Sequence, residues 1–429
     1  MGRLTALHET IAARGTGIAA GLASVVGAGL IAVPAAVYHE TGSAALLTWA
    51  VAALICVPMI MLFRDTVLAA RDASDPLRDT IRAGLGPRVA AMVPLMFGMV
   101  VTVGLPAGAV MAARNLSAIT DIGLPEVGVA AAILGFAALV TVRGRSLGNT
   151  VERIGTAVLV LALIGVVVWS LSHPSRSPEI VPDAPSLALV PAGVLVAFWA
   201  FIGFENLTFL ARELPDPRRD FAPVAMTALV LLLMLVIALT LATMVQSAVV
   251  DPVTGVVDAV RSTPFGRLAA AALAIAAVLG MTLNAVAWVR GVAYVLDSAG
   301  REYALPSLLT SRSPVPRRAV VLLCGGFTVS CTVLALRPDL VVDMLAGASG
   351  VFVIIYLLCI LAYIRTAGLR VWSAANLALV PLFTWTLIAS GSRAILPVAV
   401  LTAAAAVVWL RSRGRAADAD RSAPASSVR

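Results

Sequence analysis

The sequence predicts an all-α polytopic membrane protein with about twelve transmembrane helices. Three observations support this prediction. Of the 429 residues, 60% are hydrophobic and only 13% are charged, and the mean hydropathy is +0.98. A typical globular domain has about 25% charged residues. The apolar residues are also grouped into runs of about 20, the length that a helix needs to cross roughly 30 Å of hydrocarbon.

Twelve such runs are separated by shorter segments that contain charges and prolines. The first run is too long for the apolar core of a signal peptide, and further spans follow it, so we expect the N-terminus to stay attached. Residues 411–429 lack apolar periodicity and are expected to form a disordered cytoplasmic tail. The predicted spans are residues 16–38, 43–63, 89–112, 125–142, 150–171, 187–211, 221–247, 266–297, 319–336, 340–364, 371–389 and 393–410.

The distribution of arginine predicts the orientation in the membrane. All 31 basic residues are arginines, and they lie between the spans rather than along one face, so the net charge of +8 does not indicate nucleic-acid binding. The loops on one side hold 25 of them and the loops on the other side hold 6. Because cytoplasmic loops carry the excess of basic residues, both termini are expected in the cytoplasm of a multi-pass protein of the cytoplasmic (cell) membrane.

The residue types that usually hold metals or perform catalysis are not grouped in this sequence. The cysteines lie in apolar runs at irregular spacing, and the histidines lie outside the spans. There is no zinc motif, no pair of acids within a span and no Gly-x-Ser-x-Gly motif, so we expect no metal, no cofactor and no enzyme activity. The residues concerned are Cys56, Cys324, Cys331, Cys359, His8, His39 and His173.

The sixth span contains a carboxylate and a glycine in apolar surroundings. A charge near the bilayer centre costs roughly 2.5–3.5 kcal/mol on insertion scales, so Glu205 is expected to face a cavity or a partner. It is predicted to carry a proton or to act as a gate. The alternative is a structural acid that hydrogen-bonds backbone groups freed near Gly203. Trp199 and Phe201 either close over a substrate or pack against neighbouring helices.

The first span contains a matching interruption at Gly27, Ala28 and Gly29. Gly27 and Gly203 are 176 residues apart, and glycine-interrupted spans at matching positions of two halves indicate a transporter binding site. Backbone N–H groups at the start of a half-helix can bind an anionic group such as a carboxylate. The alternative is that these small residues only allow helices to pack closely.

Three other spans contain polar or helix-bending residues. Asn284 and Thr282 in the eighth span could bind a substrate, and the alternative is a hydrogen bond between helices. The segment 104–106, Gly-Leu-Pro, is expected to be a packing kink in the third span. The segment 347–350, Gly-Ala-Ser-Gly, permits close approach or bending in the tenth span, and no chemistry is assigned to it.

Residues 198–205, Phe-Trp-Ala-Phe-Ile-Gly-Phe-Glu, are followed at 210–221 by Leu-Ala-Arg-Glu-Leu-Pro-Asp-Pro-Arg-Arg-Asp-Phe. This combination resembles the sixth-helix signature of the amino acid, polyamine and organocation (APC) transporter superfamily. Further segments are similar to the bacterial methionine and branched-chain amino-acid exporters of that superfamily. These segments are residues 26–29, 32–35, 103–107, 283–284 and 355–359.

The resemblance implies a LeuT-like fold, a 5+5 inverted repeat plus two C-terminal helices, with alternating access around broken helices one and six. The repeats are expected at residues 16–171 and 187–364, and the extra helices at 371–410. In this fold the 26–29 amides bind the substrate carboxylate, and carbonyls near Phe201 and Ile202 bind its ammonium group. The predicted substrate-binding residues are Val26, Gly27, Ala28, Gly29, Phe198, Trp199, Phe201, Ile202, Gly203 and Asn284, and Glu205 is the predicted proton-coupling or gating residue.

The sequence departs from the family pattern in two respects. Ala28 replaces the serine or threonine that is frequent in the glycine motif, which removes a hydroxyl but not the backbone donor. Sodium-coupled relatives have paired hydroxyls on the eighth helix, where this sequence has Thr282 and Asn284, so sodium coupling is not supported. Some proton-coupled relatives have a lysine on the fifth helix, and the fifth span here has none. Coupling to protons through Glu205 is the hypothesis.

The function expected from these features is secondary transport of small neutral amino acids of the methionine or branched-chain type. Outward movement by proton antiport or by exchange is favoured, and the partners are an amino acid, a proton and the lipid bilayer. Direction depends on gradients, so proton-coupled uptake is an alternative. Transport of amines or cationic amino acids, and a transporter-like nutrient sensor, are further alternatives.

Overall fold

The computed structural model describes a helical protein, and the described part of the chain contains no strand. Most of the predicted spans fall within this part. The described residues are 15, 29–69, 76–120, 123–144, 149–203, 208, 214, 216–247, 250–261, 266–303, 309–311, 313, 315–368 and 370–422.

The α-helices of this part are numbered in chain order, and short 3₁₀ turns connect several of them. The turns are Gly42–Ala44, Trp199–Phe201, Pro338–Leu340 and Gly391–Ala394. The helices are α1 (Gly29–Thr41), α2 (Ala45–Ala69), α3 (Pro76–Leu85), α4 (Pro87–Ser117), α5 (Glu126–Val142), α6 (Asn149–Ser172), α7 (Ala184–Phe198), α8 (Pro217–Gln246), α9 (Gly255–Arg261), α10 (Gly266–Glu302), α11 (Arg317–Leu336), α12 (Val341–Ala367), α13 (Val371–Ala389) and α14 (Ile395–Ser422).

The apolar runs form helices because a helix satisfies its own backbone hydrogen bonds, which lipid cannot do. Nine segments of the described residues are long and apolar enough to cross a membrane, and one of them, Leu30–Ala69, contains residues 30–38 of the first predicted span and all of the second. Two shorter apolar helices, Glu126–Val142 and Ala157–Ser172, lie at the fourth and fifth predicted spans. The prediction of an all-α polytopic protein is confirmed.

The helices form two groups. Helices α1, α2 and α7 pack against one another, and α8 packs against α1 and α2. Helices α4, α5, α10 and α11 form the second group, in which every pair is in contact. Helix α12 packs against both α4 and α7, so it lies where the groups meet. Within the first group, the buried Trp49 Nε1–H donates to Thr240 Oγ1 at 2.8 Å and connects α2 to α8. The division into two five-helix repeats stays a prediction.

The C-terminal segment differs from the prediction. Helix α14 continues to Ser422, so residues 411–422 are helical instead of irregular. Arginine and alanine, which dominate this segment, are strong helix formers, and propensity can extend a helix without apolar periodicity. The rest of the predicted tail, residues 423–429, lies outside the described residues.

Candidate functional site

The sixth span is interrupted where the sequence predicts a break. Helix α7 ends at Phe198 and is followed by the Trp199–Phe201 turn. Ile202 then adopts an extended conformation, with φ −68° and ψ 128°, and Gly203 has a φ of 123°. Side chains disfavour such a positive φ, so glycine is the residue suited to this position. The Ile202 N–H donates to Phe198 O at 3.2 Å and to Trp199 O at 3.3 Å, so the last carbonyl of α7 keeps a partner in the turn.

The described part of the first span begins at Gly29, the first residue of α1. Helix α1 packs against the 199–201 turn, so the described part of the first span lies beside the break in the sixth span. The end of a helix carries a partial negative charge, so the end of α7 favours a cationic group. Val26, Gly27, Ala28 and Glu205 lie outside the described residues.

Trp199 contacts both groups of helices. It is half-buried, and its ring lies against Gly104 of α4. A Cβ atom at position 104 would lie 2.5 Å from Trp199 Cη2 and 3.3 Å from the Cβ of Ala348 on α12. Gly104 therefore provides the space in which the indole rests. Trp199 lies across the boundary between the first group of helices and α4, beside the 199–203 break.

Phe198 and Phe201 point into well-packed surroundings, and both are 2% exposed. The Phe198 ring makes edge contacts with Tyr356 at 5.9 Å and with Phe383 at 5.8 Å between centroids. The Phe201 ring contacts Trp49 at 5.9 Å. These contacts fix the position of the turn from two sides. They favour the packing alternative for Phe201, whereas Trp199 is the half-buried aromatic residue of the turn.

Asn284 lies on α10, and the structure does not join it to the 199–203 break. Helix α10 packs against α4, the helix that carries Gly104. The Asn284 side chain is partly exposed and makes no hydrogen bond to the described residues. Thr282 donates to Val278 O of its own helix at 2.7 Å. A substrate-binding role for Asn284 stays a prediction.

An aromatic cluster on α12 was given no role by the sequence reasoning. Tyr356 is 3% exposed, and its ring packs against Phe63, Phe198 and Phe352. Phe352 in turn contacts Trp288 of α10 at 5.8 Å. A tyrosine in an apolar span was the available signal, because its hydroxyl needs a polar partner when it is buried. This cluster is the apolar support of the broken helix.

The start of α7 is fixed by a capping residue. Asp183 accepts a hydrogen bond from the backbone N–H of Ser186 at 3.0 Å and from the hydroxyl of Ser43 at 3.2 Å. Hydrogen bonds from the side chain and backbone of Ser186 hold the pKa of the Asp183 carboxyl below its usual value. The cap joins the start of α7 to the 42–44 turn, so it sets the angle at which α7 approaches the break.

The described residues at the break supply apolar surface and the end of a helix. They are aromatic residues, glycine and alanine, and the end of α7 adds a partial negative charge. Among the described residues, no group of three His, Cys, Asp or Glu side chains could hold a metal ion.

Comparison with known proteins identifies the family. Residues 16–411 match the profile of the amino acid permease family. The chain belongs to this family. The permease is also 27% identical over 352 residues to the L-methionine/branched-chain amino acid exporter YjeH of Escherichia coli (strain K12), with 79% of this chain and 82% of the exporter covered. It is therefore a multi-pass amino-acid transporter of the APC superfamily and not an enzyme.

Two solved structures share the fold of the permease. The manganese transporter of Eremococcus coleocola superposes with a TM-score of 0.65 at 12% identity, covering 94% of each chain. MhsT in complex with L-phenylalanine superposes with a TM-score of 0.60 at 18% identity, covering 91% of this chain and 98% of that chain. These similarities support the LeuT-like fold.

Proposed function

We propose that the permease exports small neutral amino acids by alternating access around the interruptions of its first and sixth spans. The observation that carries this proposal is the break at Trp199–Gly203, packed against α1 of the first span. The substrate carboxylate binds the N–H groups of the 26–29 segment. The ammonium group binds the carbonyls near Phe201 and Ile202.

The described surroundings of the break support a neutral, apolar substrate side chain. The half-buried Trp199 offers apolar surface, and Gly104 leaves room for its indole ring. A cationic substrate side chain would need a carboxylate partner, because an unpaired charge in apolar surroundings is costly. Similarity to an exporter of methionine and branched-chain amino acids supports substrates of that type and outward movement.

Counterflow tests the substrate. Purified protein is reconstituted in liposomes preloaded with unlabelled leucine or methionine, and the entry of labelled methionine is followed at equal pH on both sides. Entry above that of protein-free liposomes, stimulated by the internal amino acid, is the expected result. If lysine or an amine stimulates entry and neutral amino acids do not, the substrate assignment is wrong.

The excess of arginine on one side supports the proposal that both termini are cytoplasmic.

Coupling is proposed to use Glu205 as the proton carrier. Glu205→Gln is expected to leave exchange at equal pH in place and to abolish the dependence of net transport on a pH gradient. Flux measurements at several imposed gradients check this. A pH dependence equal to that of the wild type removes Glu205 as the proton site.

A further inference from the structure

Arg393 forms a partly buried ionic contact at the end of the molecule where α1 terminates. It lies in the Gly391–Ala394 turn between α13 and α14. Its guanidinium donates to both carboxylate oxygens of Glu40, at 3.0 and 2.5 Å, and to Asp343 Oδ1 at 2.6 Å. The side chains of Arg393 and Glu40 are only 16% and 21% exposed. A bidentate, charge-assisted hydrogen bond of this kind restricts the relative orientation of its two partners and is stronger than a hydrogen bond between neutral groups.

The contact connects two helices that lead directly to the candidate site. Glu40 is 11 residues after Gly29, so α1 spans about 16 Å between the contact and the first interruption. Asp343 lies in the first turn of α12, and Ala348 lies five residues further along that helix, beside the Trp199 contact. A displacement of α1 relative to α12 at Arg393 therefore changes the opening of the site on this side.

The glycines of the 347–350 segment explain why the C-terminal helices reach this position. A Cβ at Gly347 would lie 3.0 Å from Leu396, and a Cβ at Gly350 would lie 2.8 Å from Pro397. The missing side chains let the start of α14 pack closely on α12. This close packing brings Arg393 within reach of Glu40 and Asp343.

We propose that Arg393 is a positioning residue of the transport cycle, which holds the end of α1 against α12 and releases Glu40 when this side opens. The inference rests on the alternating-access function proposed above. One arginine is shared by two carboxylates on different helices. Arg393 and Asp343 stay together when Glu40 moves away with α1, so the arginine keeps a partner while this side is open.

The test measures how accessible the site is from each side of the membrane, and it needs no transport. Trp199→Cys, at the half-buried position of the break, is introduced into protein whose native cysteines are replaced by alanine, and a membrane-impermeant maleimide is applied to intact cells and to inverted vesicles. Arg393→Gln is expected to raise the ratio of the labelling rates, Arg393 side over opposite side, by about fivefold or more. Glu40→Gln is expected to have the same effect, and the double variant no larger one.

Two further variants separate positioning from general loosening. Arg337 pairs with Asp339 at the same end of the molecule, but the two side chains are 62% and 60% exposed. Arg337→Gln is expected to leave the labelling ratio unchanged. Exchanging the charges, with Glu40→Arg and Arg393→Glu together, is expected to return the labelling ratio part of the way to the wild-type value.

An unchanged ratio in both Arg393→Gln and Glu40→Gln overturns the inference. An equal rise in Arg337→Gln, or equally faster labelling from both sides, also overturns it. Counterflow by the wild-type protein is measured separately. Absence of that flux contradicts the proposed function without affecting the labelling result.

Discussion

A methyl group at position 104 is expected to move Trp199 out of its place. The Cβ of Gly104→Ala would lie 2.5 Å from Trp199 Cη2 and 2.9 Å from Cζ3. Carbon atoms pack best at about 3.5–4.0 Å, so the ring must withdraw by about 1 Å. The Cβ of Ala348 lies 3.3 Å from the same methyl position and limits the movement. Overpacking of this kind costs about 1–3 kcal/mol.

The matched control is Gly291→Ala in α10, where no heavy atom lies within 4 Å of the new methyl group. Alanine in a helix is more stable than glycine by about 0.5–1 kcal/mol, and both substitutions gain this amount. The difference between the two variants therefore isolates the overpacking. We expect Gly104→Ala to be less stable than Gly291→Ala by about 1–3 kcal/mol.

The assay is denaturant unfolding of the purified variants in detergent micelles, with counterflow measured on the same preparations. Because Phe lacks the outer ring of indole, Trp199→Phe should make Gly104→Ala less costly, which a double-mutant cycle detects. Counterflow by Gly104→Ala is expected to require more substrate for half-maximal rate, since Trp199 is displaced beside the break. Equal stability of Gly104→Ala and Gly291→Ala, or no coupling to Trp199→Phe, would refute the reasoning.

Three further predictions concern single contacts. Thr240→Val leaves the buried Trp49 indole N–H without its acceptor and is expected to cost about 1–3 kcal/mol in denaturant unfolding. Asp183→Asn removes a carboxylate whose lowered pKa stabilises the folded protein above the pKa of the unfolded state. The wild-type protein should therefore be the more stable above about pH 5 in thermal unfolding, and the difference should vanish as the pH falls below about 4. Gly27→Val places a side chain where the substrate must approach the backbone, so substrate binding measured by calorimetry should be lost.

Each of these predictions has a result that contradicts it. Thr240→Ser keeps the hydroxyl acceptor, so a loss of stability as large as that of Thr240→Val would show that the hydrogen bond is not the cause. A constant difference between wild type and Asp183→Asn from pH 3 to 7 would exclude the charge of Asp183. Normal binding by folded Gly27→Val protein would exclude backbone recognition at the first interruption.

Local patterns explain how much of the fold was predictable. A run of about 20 apolar residues has one stable solution in lipid, a helix, so the number and order of the spans follow from composition. A glycine in the middle of a span weakens the helix locally, and the break at Gly203 is where the sequence predicts it. The helical segment 411–422 has no apolar periodicity. Its signal is the helix propensity of its arginines and alanines.

The assignment of faces could not be predicted in the same way. In a soluble helix an apolar stripe marks the buried side, but in a membrane helix the lipid-facing side is apolar too. Nothing local therefore distinguishes Phe201, which packs on Trp49, from Trp199, which contacts Gly104. For the same reason, the sequence does not reveal that Tyr356 packs against Phe198.

The sequence by itself determined the membrane class, the helical fold, the family and the interrupted sixth span, because each depends on residues close together in the chain. Only the tertiary structure decided which residues meet. Gly104 and Trp199 are on helices of different groups, and Arg393 and Glu40 are 353 residues apart. Such contacts depend on how the helices pack, since small residues allow close approach without specifying the partner.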